Sequence, residues 1–200
     1  MRIPNHLAIA PLAALVFAMP AHGVAAAAVA ESPEITLSRG LAEVLGAVKG
    51  RNNSNPVELA HRVRPVLEKF FNFESLTRKA LGQGWKDLTP EQQGQAVKLF
   101  SEIIIRSYTN RFDPSSQVDI SFAHATDLAP GRKEVPAVAR YQGSVVTVAY
   151  RVESGAEGWR VYDVIIEGVS LASNYRAQFD SIRQKGGGAA LIQAMEEKVR

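Results

Sequence analysis

The chain has 200 residues, of which 46% are hydrophobic and 22% are charged, a composition typical of one globular domain with a core of its own. The formal net charge of +3 comes from interspersed acids and bases, without the basic run that a nucleic-acid-binding protein normally carries. The absence of cysteine excludes disulfides, thiolate metal sites and a cysteine nucleophile.

Residues 1–30 have the pattern of a cleaved secretory signal peptide. Arg2 precedes an apolar stretch from Leu7 to Met19, and Ala28-Val29-Ala30 fits a cleavage site, with Ala21-His22-Gly23 as the alternative. The apolar stretch is too short for a membrane anchor. Cleavage would remove Arg2 and no acid, which lowers the net charge from +3 to +2. We therefore expect residues 31–200 to form a single exported domain, free in the periplasm because there is no cysteine to carry a lipid anchor.

Helical patterns occupy the first half of the mature chain. Apolar residues at helical spacing predict a first helix that ends near Gly50, and Pro56 begins a second, in which Pro65 predicts a kink or a restart. Asn72 is the predicted N-cap of a short helix that Gly82 ends.

The clearest local signal is Thr89-Pro90-Glu91-Gln92. Thr89 is the cap, Pro90 takes the first helical position and Gln92 completes a capping box. The helix should run to about Phe112, with one apolar stripe. The stripe consists of Val97, Phe100, Ile104, Tyr108 and Phe112.

Beyond this helix the period changes from about 3.6 to 2, which predicts strands joined by short connections. Gln142-Gly143 is a hairpin signal, and Ser170 begins a helix that Gly186–Gly188 divides. Helices, a meander sheet and helices again predict an α+β fold. The predicted strands are Val118–Phe122, Val135–Tyr141, Val145–Val152 and Trp159–Ile166.

Two of these strands carry unusually apolar faces. Alternation places Tyr162, Val164 and Ile166 on one face of the last strand. Such a face is either plain core or the wall of a ligand cavity, and the pattern leaves both open. The neighbouring strand presents Val146, Val148 and Tyr150 on one face.

Three short sequence motifs occur in a fixed order along the chain. Leu81-Gly82 precedes Trp85; Leu88 to Gln92 opens the long helix; and Trp159 to Phe179 contains Tyr162-Asp163 followed by Glu167-Gly168-Val169-Ser170. In this order they resemble the MlaC family of periplasmic phospholipid carriers, also described as toluene-tolerance or ABC transporter auxiliary proteins. With Leu191-Ile192, the resemblance spans residues 35–198. Asn72 departs from it, because the family usually has Asp there, but both residues cap helices well.

The resemblance implies helices packed on one curved four-stranded antiparallel sheet, an NTF2-like cone with an internal apolar cavity. It implies a carrier without cofactor or enzymatic activity, whose cargo is phospholipid. The partners it implies are an outer-membrane lipoprotein complex and an inner-membrane ABC transporter complex, with transient proximity to membranes, in a pathway of outer-membrane lipid asymmetry. We expect a monomer that binds no nucleic acid. A hopanoid-associated branch of the same family is the alternative.

The resemblance and the apolar faces together predict the residues that line the cavity. Arg176 is the candidate for contact with a lipid phosphate, and a solvated or paired arginine is the alternative. The predicted lining residues are Leu81, Trp85, Phe100, Ile104, Tyr108, Val146, Val148, Tyr150, Tyr162, Val164 and Ile166.

Two other classes of function stay open. Asp163 among apolar neighbours fits the general base of an isomerase or dehydratase on a cone fold, or a carboxylate satisfied by backbone amides or by a partner such as Arg176. An envelope adaptor with a solid core is the third possibility. His61 and His124 lack a second ligand at metal spacing, so we predict no metal site.

Overall fold

The computed structural model describes residues 31–48, 55–110 and 118–200. The predicted signal peptide, Gly50 and Phe112 lie outside these ranges. Within them, none of the helices combines the length and the apolarity that crossing a bilayer requires.

Helices form the first half of the described chain, as predicted. The Asn72 amide oxygen accepts from the Ser75 N–H, and Thr89 and Gln92 form both bonds of the capping box. The second helix continues through Pro65 without a restart, because its buried face packs against the first and fourth helices. The elements are α1 (Pro33–Val48), α2 (Pro56–Phe70), α3 (Phe73–Leu81), a 3-10 helix (Gly82–Asp87) and α4 (Pro90–Thr109).

The sheet is antiparallel and has six strands rather than the predicted four. The two additional strands, β2 and β6, are only four and two residues long, too short to show a period in the sequence. The strands are β1 (Val118–Phe122), β2 (Thr126–Ala129), β3 (Arg132–Tyr141), β4 (Ser144–Gly155), β5 (Gly158–Ile166) and β6 (Val169–Ser170).

The long hairpin of β3 and β4 forms the middle of the sheet. Both residues of its Gln142-Gly143 turn have positive φ, 49° and 77°, as a tight two-residue hairpin requires. β1 and β2 share one edge of β3, β1 pairing with its second half and β2 with its first. On the other side, β5 pairs with β4 and β6 with β5.

One register shift changes the faces of β5. Arg151 pairs with Asp163, but the next residue of β4, Val152, pairs with Val161, so the register skips Tyr162. Val161 and Val164 consequently pack into the same apolar cluster, although strict alternation would put them on opposite faces.

The last helix, α5 (Leu171–Val199), returns across the helical layer. Ser170 caps it by accepting from the Ser173 N–H, as predicted. Gly186 and Gly187 have non-helical dihedral angles, so the helix has two arms. At Gly188 an added Cβ would lie 2.7 Å from the Asp87 carbonyl oxygen, which shows why the arms join through glycine.

Two apolar clusters hold the layers together. The helical core is formed by the five α-helices with the 3-10 helix, and its centre includes Leu76, Ala80, Phe100 and Phe179, each at most 1% exposed. The sheet cluster joins α1 to β3, β4 and β5 through Leu37, Val135, Val152, Val161 and Val164.

Candidate functional site

An apolar pocket lies between the sheet and the helices. Its volume is about 340 Å³, and we call it the main pocket. This volume falls near the lower end of the range of about 300–1,000 Å³ that is usual for small-molecule sites. The helical wall consists of Val44, Val48, Leu59, Val63, Leu67, Ile104, Ile105, Tyr108, Thr109 and Leu171.

The opposite wall comes from the sheet and from the link between α2 and α3. Val148 pairs with Ile166 and Tyr150 with Val164, so paired residues present their side chains side by side on this face. The residues of this wall are Phe71, Phe73, Val148, Tyr150, Val164 and Ile166.

Hydroxyl groups supply what polarity the walls have. Thr109 Oγ1 donates to the Ile105 carbonyl oxygen at 2.9 Å, which satisfies it within its own helix. Tyr108 is 47% exposed, so it marks the end of the pocket that faces water. Tyr150 lies deeper, and burial raises its pKa to about 12. None of the described residues on its walls is charged, and the pocket they form suits a hydrocarbon ligand.

A second apolar space, the side pocket, adjoins the main pocket and measures about 200 Å³. It lies between the helices α1 and α2 and the strands β1, β4 and β5, with Leu37, Gly40 and Phe122 among its walls. The two pockets share the wall residues Val44, Leu67, Phe71 and Tyr150.

The structure brings six of the eleven predicted lining residues to the main pocket. They are Ile104, Tyr108, Val148, Tyr150, Val164 and Ile166.

The other five lie elsewhere. Leu81, Trp85 and Phe100 belong to the helical core, where other helices cover them. Tyr162 is turned away by the register shift, and its ring contacts Arg132 and Lys79 at 5.0 and 5.3 Å from the cations. Val146 is partly buried on β4 and does not reach the main pocket.

Sequence reasoning missed the contribution of α1, α2 and their neighbours. Val44 and Val48 are four residues apart on α1, and Leu59, Val63 and Leu67 repeat every four residues on α2. This spacing marks a helix face that packs against something, but it does not tell a pocket from a filled core.

Arg176 lines neither the main pocket nor the side pocket. Its Nε donates to the Lys79 carbonyl oxygen at 3.0 Å, so the guanidinium covers the last turn of α3. A cation at this position is stabilised by the carbonyl groups that a helix C-terminus leaves unpaired.

Asp163 is fully buried, and protein groups occupy its carboxylate. Oδ2 accepts from Lys79 Nζ and from Ser170 Oγ, both at 2.6 Å. Oδ1 accepts from the backbone N–H groups of Val164 and Ala172 at 3.0 and 3.1 Å. The carboxylate therefore ties β5 to α3 and to the start of α5, and Lys79 takes the place suggested for Arg176. A base with these partners has no free lone pair directed at either pocket.

In the described part of the chain, no three His, Asp or Glu side chains come close enough to hold a metal ion together.

Comparisons with known proteins agree with this architecture. The family model described as MlaC protein matches residues 36–197. The intermembrane phospholipid transport system binding protein MlaC of Haemophilus influenzae is 26% identical over 192 residues, which cover 92% of this chain and 90% of that protein. The solved structure of a phospholipid-binding protein from Ralstonia solanacearum, in complex with a phospholipid, has a TM-score of 0.77 and 27% identity, covering 84% of this chain and 97% of that one.

Proposed function

The chain belongs to the MlaC family, and on that premise we propose that it is a carrier that holds phospholipid acyl chains in the main pocket. The observation that carries the proposal is the main pocket itself, about 340 Å³ of space walled by aliphatic and aromatic side chains. The similarity to a protein that transports phospholipid and to one solved with a phospholipid bound supports the choice of cargo.

The energetic need for such a pocket follows from the cargo. A diacyl lipid has about thirty methylene groups, and each one exposed to water costs about 0.8 kcal/mol. A bare lipid in an aqueous compartment is therefore unfavourable by on the order of 20 kcal/mol. A carrier lowers this cost by burying the chains, and it needs no reacting group to do so.

We propose the periplasm as the place of transport, with the predicted signal peptide as the means of export. The carrier would move lipid between two membrane complexes, one an outer-membrane lipoprotein complex and the other an inner-membrane ABC transporter complex. The carrier would release lipid if docking on a partner complex lowers its affinity for lipid. A partner can shift the equilibrium between two states only when it binds those states with different affinities. We propose no enzymatic step, because Asp163, the buried carboxylate among the described residues, already has four protein donors.

Two valines of β4 provide a matched test. Val148 lines the main pocket, whereas Val145 is 65% exposed and pairs with Arg140 on the other face of the sheet. Val148→Asp puts a charge on the pocket wall, which opposes entry of acyl chains. Val145→Asp puts the same charge in water.

Each variant would be purified from a Gram-negative periplasm, and its organic extract analysed by mass spectrometry. We expect phospholipid with the wild type and with Val145→Asp, and at least tenfold less with Val148→Asp. Circular dichroism and thermal melting check that both variants are folded. Equal amounts of lipid in the two variants, or a wild type without lipid, would contradict the carrier function.

A further inference from the structure

The Tyr150 hydroxyl lies in apolar surroundings that give it no partner. The ring stands between Val135 and Val164 on the neighbouring strands and packs against Phe122 at a centroid distance of 5.8 Å. Among the described residues, no side-chain or backbone group forms a hydrogen bond with this hydroxyl. The raised pKa of about 12 has burial as its cause, with no hydrogen bond contributing.

Tyr150 is only partly buried and its hydroxyl is not shut off from solvent, so water can reach it while the pockets are empty. A bound lipid displaces that water, and a tyrosine hydroxyl removed from water without a new partner is unfavourable. A phenylalanine would fill the same space and close the same wall without that cost. The surface of Tyr150 that remains accessible lines both pockets, so the hydroxyl can meet whatever occupies them.

We propose that Tyr150 donates a hydrogen bond to an ester carbonyl oxygen of the bound lipid. The inference rests on the carrier function proposed above and adds the group of the lipid that this side chain recognises, the acyl ester.

The choice of the ester follows from the chemistry of the possible cargoes. Tyrosine O–H is a donor and needs an acceptor. In a diacyl phospholipid the only strong acceptors outside the headgroup are the two ester carbonyls, and the charged headgroup itself cannot enter an uncharged pocket without large desolvation cost. A polycyclic hydrocarbon cargo, such as a hopanoid skeleton, offers no acceptor at this depth, and it would be served better by phenylalanine.

The position of Tyr150 agrees with this choice. The two ester groups of a diacyl lipid lie where its two chains join. Tyr150 is on the wall that the main and side pockets share, so a carbonyl beside its hydroxyl has apolar space for chains on both sides.

Ester and ether lipids with the same headgroup and chain length provide the matched probes. We would remove bound lipid from the wild type, Tyr150→Phe and Tyr175→Phe, then measure the Kd of dioleoyl phosphatidylglycerol and of its diether analogue, which lacks the carbonyls. Tyr175 is the control because its ring packs against Phe100 and Phe179 in the helical core, away from both pockets.

We expect the wild type and Tyr175→Phe to bind the ester lipid about three- to tenfold more tightly than the ether lipid, the factor that one net hydrogen bond provides. Tyr150→Phe should bind the two lipids equally. An independent measurement uses lipid labelled with ¹³C at the ester carbonyls, whose infrared band should lie at lower wavenumber in the wild-type complex than in the Tyr150→Phe complex.

Equal Kd values for the two lipids in the wild type, or a preference that survives in Tyr150→Phe, would overturn the inference and leave the carrier function standing. A wild type that binds neither lipid would instead contradict the carrier function, and the inference with it.

Discussion

Helix α4 contributes apolar side chains both to the filled helical core and to the wall of the main pocket. Phe100 lies in the helical core, where it is fully buried and meets Tyr175 and Phe179 edge-on at 5.0 and 5.6 Å. Ile104, one turn further along the same stripe, lines the main pocket. Tyr108, a turn beyond that, reaches the exposed end of the pocket. Hydrophobic periodicity therefore does not distinguish a filled interior from a hollow one.

The difference arises from what faces the helix. In the helical core the small residues Ala80, Ala96 and Ala172, all fully buried, let α3, α4 and α5 approach closely enough for larger neighbours to interlock. Toward the sheet, α4 and α2 face valines and isoleucines of β4 and β5. These short β-branched side chains stand nearly perpendicular to the sheet and do not fill the distance to the helices.

Truncation should separate the two regions most strongly. Phe100→Ala removes a ring from a filled core, and we expect it to lower the free energy of unfolding by about 3–5 kcal/mol. Ile104→Ala removes atoms that already border empty space, so we expect a loss nearer about 2 kcal/mol, at the low end for such substitutions. Urea denaturation of lipid-free protein measures both. Equal losses would mean that the main pocket is not open in solution.

Overpacking gives the converse comparison, with a smaller effect. Ala96→Leu adds bulk at a fully buried position of the helical core and should cost about 1–3 kcal/mol of unfolding free energy. Val44→Phe adds bulk beside both pockets, where there is room, so we expect a change below about 1 kcal/mol. The same substitution should reduce the lipid recovered with the protein. A Val44→Phe variant that is as destabilised as Ala96→Leu would contradict the conclusion that there is unfilled space beside Val44.

The smallest expected effect concerns the attachment of α1, which covers the side pocket. Glu34 Oε1 accepts from the Ala125 backbone N–H at 2.6 Å, and this bond is the main reason why the pKa of Glu34 is lowered from 4.5. A carboxyl whose pKa is lower in the folded state contributes stability above its unfolded pKa and loses it as the pH falls through the folded value. The wild type should therefore exceed Glu34→Gln in stability above about pH 4.5.

Unfolding free energies of the two proteins between pH 7 and pH 3 would measure this. The difference should shrink below pH 4.5, and a difference that does not change with pH would show that the charge of Glu34 plays no part. Glu34 is partly exposed, so solvent screening keeps the effect small.

Local signals predicted three helix caps and the central hairpin turn. Thr89 with Gln92, Asn72 and Ser170 all cap helices as predicted, and Gln142-Gly143 forms the predicted hairpin turn. Each of these structures is decided by hydrogen bonds and dihedral angles within a few residues of chain, so the sequence contains the whole cause.

The candidate site could be predicted only in part. The stripe on α4 and the alternation on β4 found Ile104, Tyr108, Val148 and Tyr150, because periodicity identifies the buried face of an element. Periodicity failed at Tyr162, since the register shift opposite Arg151 depends on how two strands pair. The same stripe also included Phe100, which other helices cover.

The sequence by itself determined the helix caps, the approximate positions of the helices and of four of the six strands, and the resemblance to a carrier family. Tertiary structure decided which apolar faces meet and at what separation, and that Lys79 rather than Arg176 pairs with Asp163. It also placed on the shared wall of two pockets a hydroxyl that has no hydrogen-bond partner among the described residues. The physical reason is that a cavity depends on the distance between elements far apart in the chain, which packing sets. A cap or a turn instead depends on hydrogen bonds and dihedral angles within a few neighbouring residues.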